Sequence, residues 1–238
     1  MQKNKASILC TVSSPEAATR SLVEENIQIE YLSFIDIKPV LHTELREQIK
    51  GLSPQNLIAV FTSSNAVKAV IKILENQKTS WKIYCTSGVT SKETRAYFGE
   101  ESIVGTDHNA LALAQKIMHD GVREVVFFCG DQRRDELPAW LAQHGVKVNE
   151  ILVYRTELTP RKISKKYNGI LFFSPSAAES FFSVNEPDKE TVFFSIGDTT
   201  ADTIKKYSPN KIIVSEIPDK ELLIRVASEY FQTNPVNI

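Results

Sequence analysis

The sequence predicts an α/β protein: two flavodoxin-like parallel-sheet domains joined by a two-stranded β linker and formed from a duplicated unit. Three observations carry this expectation. Short β-branched and aromatic runs alternate with helical patterns along the whole chain. The strand runs are continuously apolar, as in Val125-Val-Phe-Phe-Cys129, which is how strands read when helices cover both faces of a parallel sheet. Segments also recur at offsets between 109 and 119 residues in a chain of 238, and self-similarity at a fixed period marks a repeated structural unit.

Taken in order, the strands expected from β-branched and aromatic content are Ala6–Thr11, Ile27–Leu32, Leu57–Thr62, Lys82–Thr86 and Ser102–Gly105. The series continues with Glu124–Phe128, Val146–Tyr154, Gly169–Phe173, Thr191–Ser195 and Lys211–Val214. Helices lie between them. Ala66, Val67, Val70, Ile71 and Leu74 fall on one helical face, as do Leu111, Leu113, Ala114 and Ile117. Strands tend to end in small polar residues that open the next helix: Thr62-Ser-Ser-Asn65, Thr86-Ser-Gly-Val-Thr90, Ser174-Pro-Ser176 and Gly197-Asp-Thr-Thr200. Ser, Thr and Asn cap orphan helix amides, and Pro175 fits a first-turn position where its missing N–H costs nothing. Helix starts at the carboxyl edge of a parallel sheet are also where open α/β folds bind ligands, and their free amides suit carboxylate or phosphate.

The repeat predicts the wiring. Leu57–Ala66 resembles Gly169–Ala178, and Ser87–Thr90 resembles Ile196–Thr199. Ser7–Cys10 matches Val126–Cys129, and Asn26–Glu30 matches Gly145–Asn149, both at the half-length of 119 residues. The runs beginning at Ile27 and Val146 extend unusually far, to about Ile37 and Thr156. Placed at equivalent points of the repeat, they are expected to pair as linker strands, 30–38 and 150–157. The first domain is then discontinuous, residues 1–35 plus 158–238. The second spans 38–153, and a cleft is expected between the two; a simple side-by-side pair of domains is the alternative wiring.

Composition narrows the chemistry. Lys and Arg number 28 against 29 Asp and Glu, and 42% of residues are hydrophobic, so the chain can bury a core and lacks the basic footprint of a general nucleic-acid binder. The longest apolar runs have five residues, far short of the ~18 of a membrane span, and Ala6–Cys10 is too brief for a signal peptide. Cys10, Cys85 and Cys129 are odd in number and lack metal-ligand spacing, which fits buried core thiols in a reducing cytoplasm. No Gly-x-x-x-x-Gly-Lys-Ser/Thr or Gly-x-Gly-x-x-Gly loop occurs, and the four histidines are scattered. A conventional nucleotide, metal or triad enzyme is disfavoured.

Five segments in order carry a resemblance: Val60-Phe-Thr-Ser-Ser-Asn-Ala-Val67, Cys129-Gly-Asp-Gln-Arg-Arg-Asp-Glu-Leu-Pro138, Val153-Tyr-Arg-Thr156, Phe172-Phe-Ser-Pro-Ser-Ala177 and Ser195-Ile-Gly-Asp-Thr-Thr-Ala201. Together they resemble the uroporphyrinogen-III synthase family of tetrapyrrole and heme biosynthesis. The resemblance implies a two-lobed fold with a β-ladder linker and a cofactor-free lyase reaction on hydroxymethylbilane. The substrate loses its terminal hydroxyl as water, ring D inverts through a spiro intermediate, and the macrocycle closes. Geometry matters most, because the activated substrate can close without inversion to the wrong isomer.

The resemblance also assigns residues. Tyr154 matches the family's linker tyrosine, and a neutral phenol can donate to a departing hydroxyl; packing as a linker aromatic is its other reading. Ser63, Ser64, Ser87, Ser174, Ser176, Thr199 and Thr200 match loop positions facing the family's cleft, where hydroxyls and amides would bind acetate and propionate carboxylates. Each also reads as a helix cap. Of Arg133 and Arg134, Arg134 matches the arginine preceding an acidic residue. The chain departs from the pattern at Thr11-Val-Ser-Ser-Pro15, which lacks an arginine, and at Arg133-Arg-Asp135, which lacks a glycine. A monomer with a small-molecule substrate is expected. The alternatives are a two-lobed small-molecule binding protein without catalysis and a Rossmann-type nucleotide enzyme, the latter weakened by the missing glycines.

Overall fold

A computed structural model describes residues 5–13 and 27–235; Ser14 and Pro15, part of the segment that departs from the family pattern, lie outside them. In chain order the elements begin β1 (Ala6–Cys10), β2 (Ile27–Tyr31), β3 (Ile35–Pro39), α1 (Thr43–Leu52), β4 (Ile58–Phe61) and α2 (Ser64–Leu74). There follow β5 (Lys82–Thr86), α3 (Val89–Phe98), β6 (Ile103–Asp107), α4 (Ala110–His119), β7 (Glu124–Gly130), α5 (Glu136–Gln143) and β8 (Lys147–Leu158). The chain ends with β9 (Gly169–Phe172), α6 (Pro175–Phe182), β10 (Val192–Ser195), α7 (Asp198–Lys205), β11 (Ile212–Val214) and α8 (Lys220–Thr233).

The chain divides into two units, residues 1–36 with 157–238 and residues 37–156. In the first, the strand order is β11-β10-β9-β1-β2, with parallel neighbours throughout. In the second it is β3-β8-β7-β4-β5-β6, parallel from β8 to β6.

The continuously apolar strands are explained by burial of both faces. Successive strand residues point to opposite sides. On β7, Val125, Phe127 and Cys129 pack with Leu113 and Ile117 of α4 and Leu137 and Leu141 of α5. Val126 and Phe128 face the other way, onto Ala66, Val67 and Val70 of α2 and Leu45 of α1. Phe128 stacks on both Phe61 and Trp81, each at 5.2 Å. The first unit repeats the scheme: Ile8, Cys10, Leu171 and Phe194 meet Leu223, Ala227 and Phe231 of α8, while Leu9, Ile170, Phe172 and Phe193 meet Phe181 of α6 and Ile204 of α7.

The run from Ile27 does not continue unbroken to Ile37. Pairing with β1 stops once the Leu32 amide donates to Cys10 O at 3.0 Å. The Ser33 hydroxyl then bridges to Ile35 O at 2.7 Å. This bend turns Phe34 fully into the core, edge-on to Phe181 at 5.2 Å. Burying an aromatic ring outweighs continuing one ladder. The chain re-emerges as β3, the neighbour of β8 in the other sheet. The Val40 amide donates to Val153 O and the Thr159 amide to Phe34 O, both at 2.9 Å, so numbers fall on β8 as they rise on β3 and this pairing is antiparallel.

Helix starts also differ in part from expectation. Ser63 and Ser174 do cap α2 and α6, accepting from the Asn65 and Ala177 amides at 3.2 and 3.1 Å. At α3 and α7, however, the cap positions are Gly88 and Gly197, with no side-chain cap bond. Gly88 has φ +79°, a conformation that Ser87 could not share cheaply.

Candidate functional site

In the unit formed by residues 37–156, β4, β7 and β8 lie side by side and end at one edge. Here the Tyr154 hydroxyl of β8 donates to Ser63 Oγ, 3.2 Å away, at the N-terminus of α2. A bulge makes this contact possible. Cys129 pairs with Leu152 but Gly130 with Tyr154, so β8 carries one extra residue at its junction with β7. Bulges interrupt alternation and re-aim side chains; accordingly Val153 and Tyr154, though consecutive, both pack on the cluster of Phe61, Phe128 and Ile151. Asp131 ties the turn down. Its amide donates to Tyr154 O at 3.3 Å, and its carboxylate accepts from the Thr156 amide at 2.9 Å.

The phenol is electrostatically held in its neutral form. Burial raises the Tyr154 pKa, opposed by the Ser63 hydrogen bond and reinforced by Cys129 and Asp131. Ser63 Oγ accepts from both the phenol and the Asn65 amide.

Ser64 occupies the first turn of α2 and is half-buried. Ser87 is exposed beyond β5, its amide donating to Asp107 O at 2.8 Å. Arg133 pairs with Glu150 and Asp135, an arrangement that occupies its guanidinium. Arg134 is exposed on the same turn before α5.

In the unit of residues 1–36 and 157–238, β9 and β10 are neighbours in register, Phe172 beside Ser195. The starts of α6 and α7 therefore open at one edge, carrying Ser174, Ser176, Thr199 and Thr200. Ser174 is half-buried and Thr199 exposed, whereas Ser176 and Thr200 are 9% and 3% exposed. Ser174 and Thr199 are thus the more exposed of the four residues.

Gly130 and Asp131 were not singled out from sequence, although they lie within the Cys129–Pro138 segment. The available signal was a glycine ending an otherwise apolar strand. A cavity of about 680 Å³ in the second unit lies at the opposite, amino-end edge, lined by residues such as Ile58, Lys82, Glu124 and Asn149, and is remote from Tyr154 in the sheet. Among the described residues no group of three or more His, Cys, Asp or Glu could hold a metal ion. No helix among them is long and apolar enough to cross a membrane. All three cysteines are free and buried.

No curated protein sequence matches the chain. Among solved structures, uroporphyrinogen-III synthetase from Helicobacter pylori 26695 is similar with a TM-score of 0.64 at 19% identity, covering 94% of this chain and 99% of that one. A mutant uroporphyrinogen III synthase from the extremely thermophilic bacterium Thermus thermophilus gives 0.62 at 14% identity, covering 96% and 99%. At such identities the likeness is one of fold. The family model described as uroporphyrinogen-III synthase HemD matches residues 17–225, a span that includes every segment quoted above from Val60 to Ala201. The chain belongs to the uroporphyrinogen-III synthase family.

Proposed function

We propose that this chain catalyses the cyclodehydration of hydroxymethylbilane with inversion of ring D, giving uroporphyrinogen III and water. Family membership supports the reaction, and the observation that carries the site reading is the hydrogen bond from Tyr154 to Ser63 at the end of β8 and β4. In this reading the neutral phenol donates a hydrogen bond to the substrate's terminal hydroxyl as it departs. Ser63, Ser64 and Ser87 bind substrate carboxylates from one unit, and Ser174, Ser176, Thr199 and Thr200 from the other. Their helix-start amides and hydroxyls stabilise anions without a basic protein surface, and Arg134 supplies a guanidinium.

The two units are read as copies of one duplicated flavodoxin-like domain, 1–35 with 158–238 and 38–153, with 30–38 and 150–157 as linker strands. Supporting this, the order β2-β1-β9-β10-β11 corresponds strand for strand to β8-β7-β4-β5-β6. The same correspondence pairs the segments that match in sequence. The protein is proposed to act as a cytoplasmic monomer.

The test supplies freshly generated hydroxymethylbilane and resolves the porphyrin isomers after oxidation. Excess type III supports the cyclase. Type I alone, as forms without enzyme, rejects it in favour of a passive binding protein. Tyr154→Phe is expected to slow type III formation by about a hundredfold while leaving the protein folded; wild-type turnover removes the phenol from the mechanism.

A further inference from the structure

Gly130 sits within β7, and its backbone does not require glycine, since it is absent from the residues with positive φ. Glycine weakens a strand and marks places where something approaches the backbone closely. The approaching group is Tyr154. A Cβ placed on Gly130 would lie 2.5 Å from Tyr154 Cε2 and 2.7 Å from its Oη, and closer still to Cζ. Ordinary contact between such atoms begins near ~3.5 Å, so one side must give.

The backbone around Tyr154 is held on both sides. Val153 is fully buried, and its carbonyl accepts from the Val40 amide of the sequence following β3 at 2.9 Å. The Tyr154 carbonyl and Thr156 amide are both bonded to Asp131. The half-buried ring is the part able to swing. We infer that Gly130 is a positioning residue: its missing side chain is the seat that lets the Tyr154 phenol lie across β7 and reach Ser63. This rests on the reading of Tyr154 as the donor to the leaving hydroxyl.

The consequence is that Gly130→Ala leaves the fold largely intact but moves the phenol by about an ångström, a misplacement that costs up to about a hundredfold in rate. The expected result is a kcat for type III formation lowered by about a hundredfold with KM within about twofold. The ring is followed independently of activity by ¹⁹F spectra of 3-fluorotyrosine-labelled protein, with the Tyr154 resonance among the seven tyrosines identified by its loss in Tyr154→Phe. In Gly130→Ala that resonance shifts, and Gly130→Ala/Tyr154→Phe is no slower than Tyr154→Phe alone. An unmoved resonance, or rate losses that multiply in the double variant, overturns the inference.

Failure of the donor reading looks different: Tyr154→Phe then turns over normally, while a shifted resonance in Gly130→Ala still supports the steric seat. If Gly130→Ala does not fold, the same substitution in a Tyr154→Ser background decides. Recovery of folding there supports the seat, and persistent unfolding overturns it.

Discussion

The Tyr154 phenol is kept neutral mainly by burial, with Ser63 pulling its pKa the other way and Cys129 and Asp131 adding to burial. A proton held in this way is lost only as pH rises beyond the ordinary tyrosine value of 10.0. Type III formation is therefore expected to show an alkaline limb above that value, absent from the residual activity of Tyr154→Phe, in a rate–pH profile of the two proteins. The buried thiols make a second prediction at this scale. Burial raises Cys10 from 9.0 to about 12 and Cys129 to about 11. The unfolded chain ionises these groups first, so their contribution to stability is full below pH 9 and is lost as pH rises through the folded values. The thermal midpoint is expected to fall between pH 9 and 12. Cys10→Ala lowers the midpoint at neutral pH by leaving a void, yet flattens the alkaline decline; an unchanged decline counts against the thiol.

At the scale of elements, four helix starts that look alike in sequence do different work. Ser174 accepts from the Ala177 amide, and its replacement by Ala is expected to cost about 1 kcal/mol in urea denaturation. Ser87 precedes a glycine cap and is exposed, so Ser87→Ala is expected to change stability by less than about 0.5 kcal/mol. A loss of type III formation in Ser87→Ala at unchanged stability marks a binding role; equal losses in both Ser87→Ala and Ser174→Ala stability contradict the capping assignment. The strands show a similar division. The apolar runs were legible because burial on two faces demands an apolar residue at every position. The break after Tyr31 was not, because Leu32-Ser-Phe34 is as apolar as a strand, and what ends the ladder is the site available to Phe34 beside Phe181.

For the molecule as a whole, each unit owns its core. The clusters around Phe61 and Phe127 draw only on residues from 37 to 156, and those around Leu171 and Phe172 only on the remainder. A unit with its own core has what independent folding requires. Residues 37–156 expressed alone are expected to fold cooperatively, measured by far-UV circular dichroism in a denaturant titration; a non-cooperative profile contradicts the proposed domain. The fragment is not expected to form type III, because the proposed carboxylate-binding residues Ser174, Ser176, Thr199 and Thr200 belong to the other unit.

By itself the sequence determined the α/β class, nearly every strand, and the ordered segments that carry family membership. The class and the strands are properties of local periodicity and composition, which a one-dimensional chain displays directly, whereas the segments carry the family by resemblance. It also held Tyr154, Ser63 and Ser174 in view, through a resemblance to the family rather than through spacing. Tertiary structure decided what those residues touch. Tyr154 and Ser63 stand 91 positions apart and meet because β7 separates their strands while a bulge turns the ring. Gly130 acquires meaning only from the ring packed against it. Register and close approach depend on how distant segments share a core, and no local pattern encodes that partner.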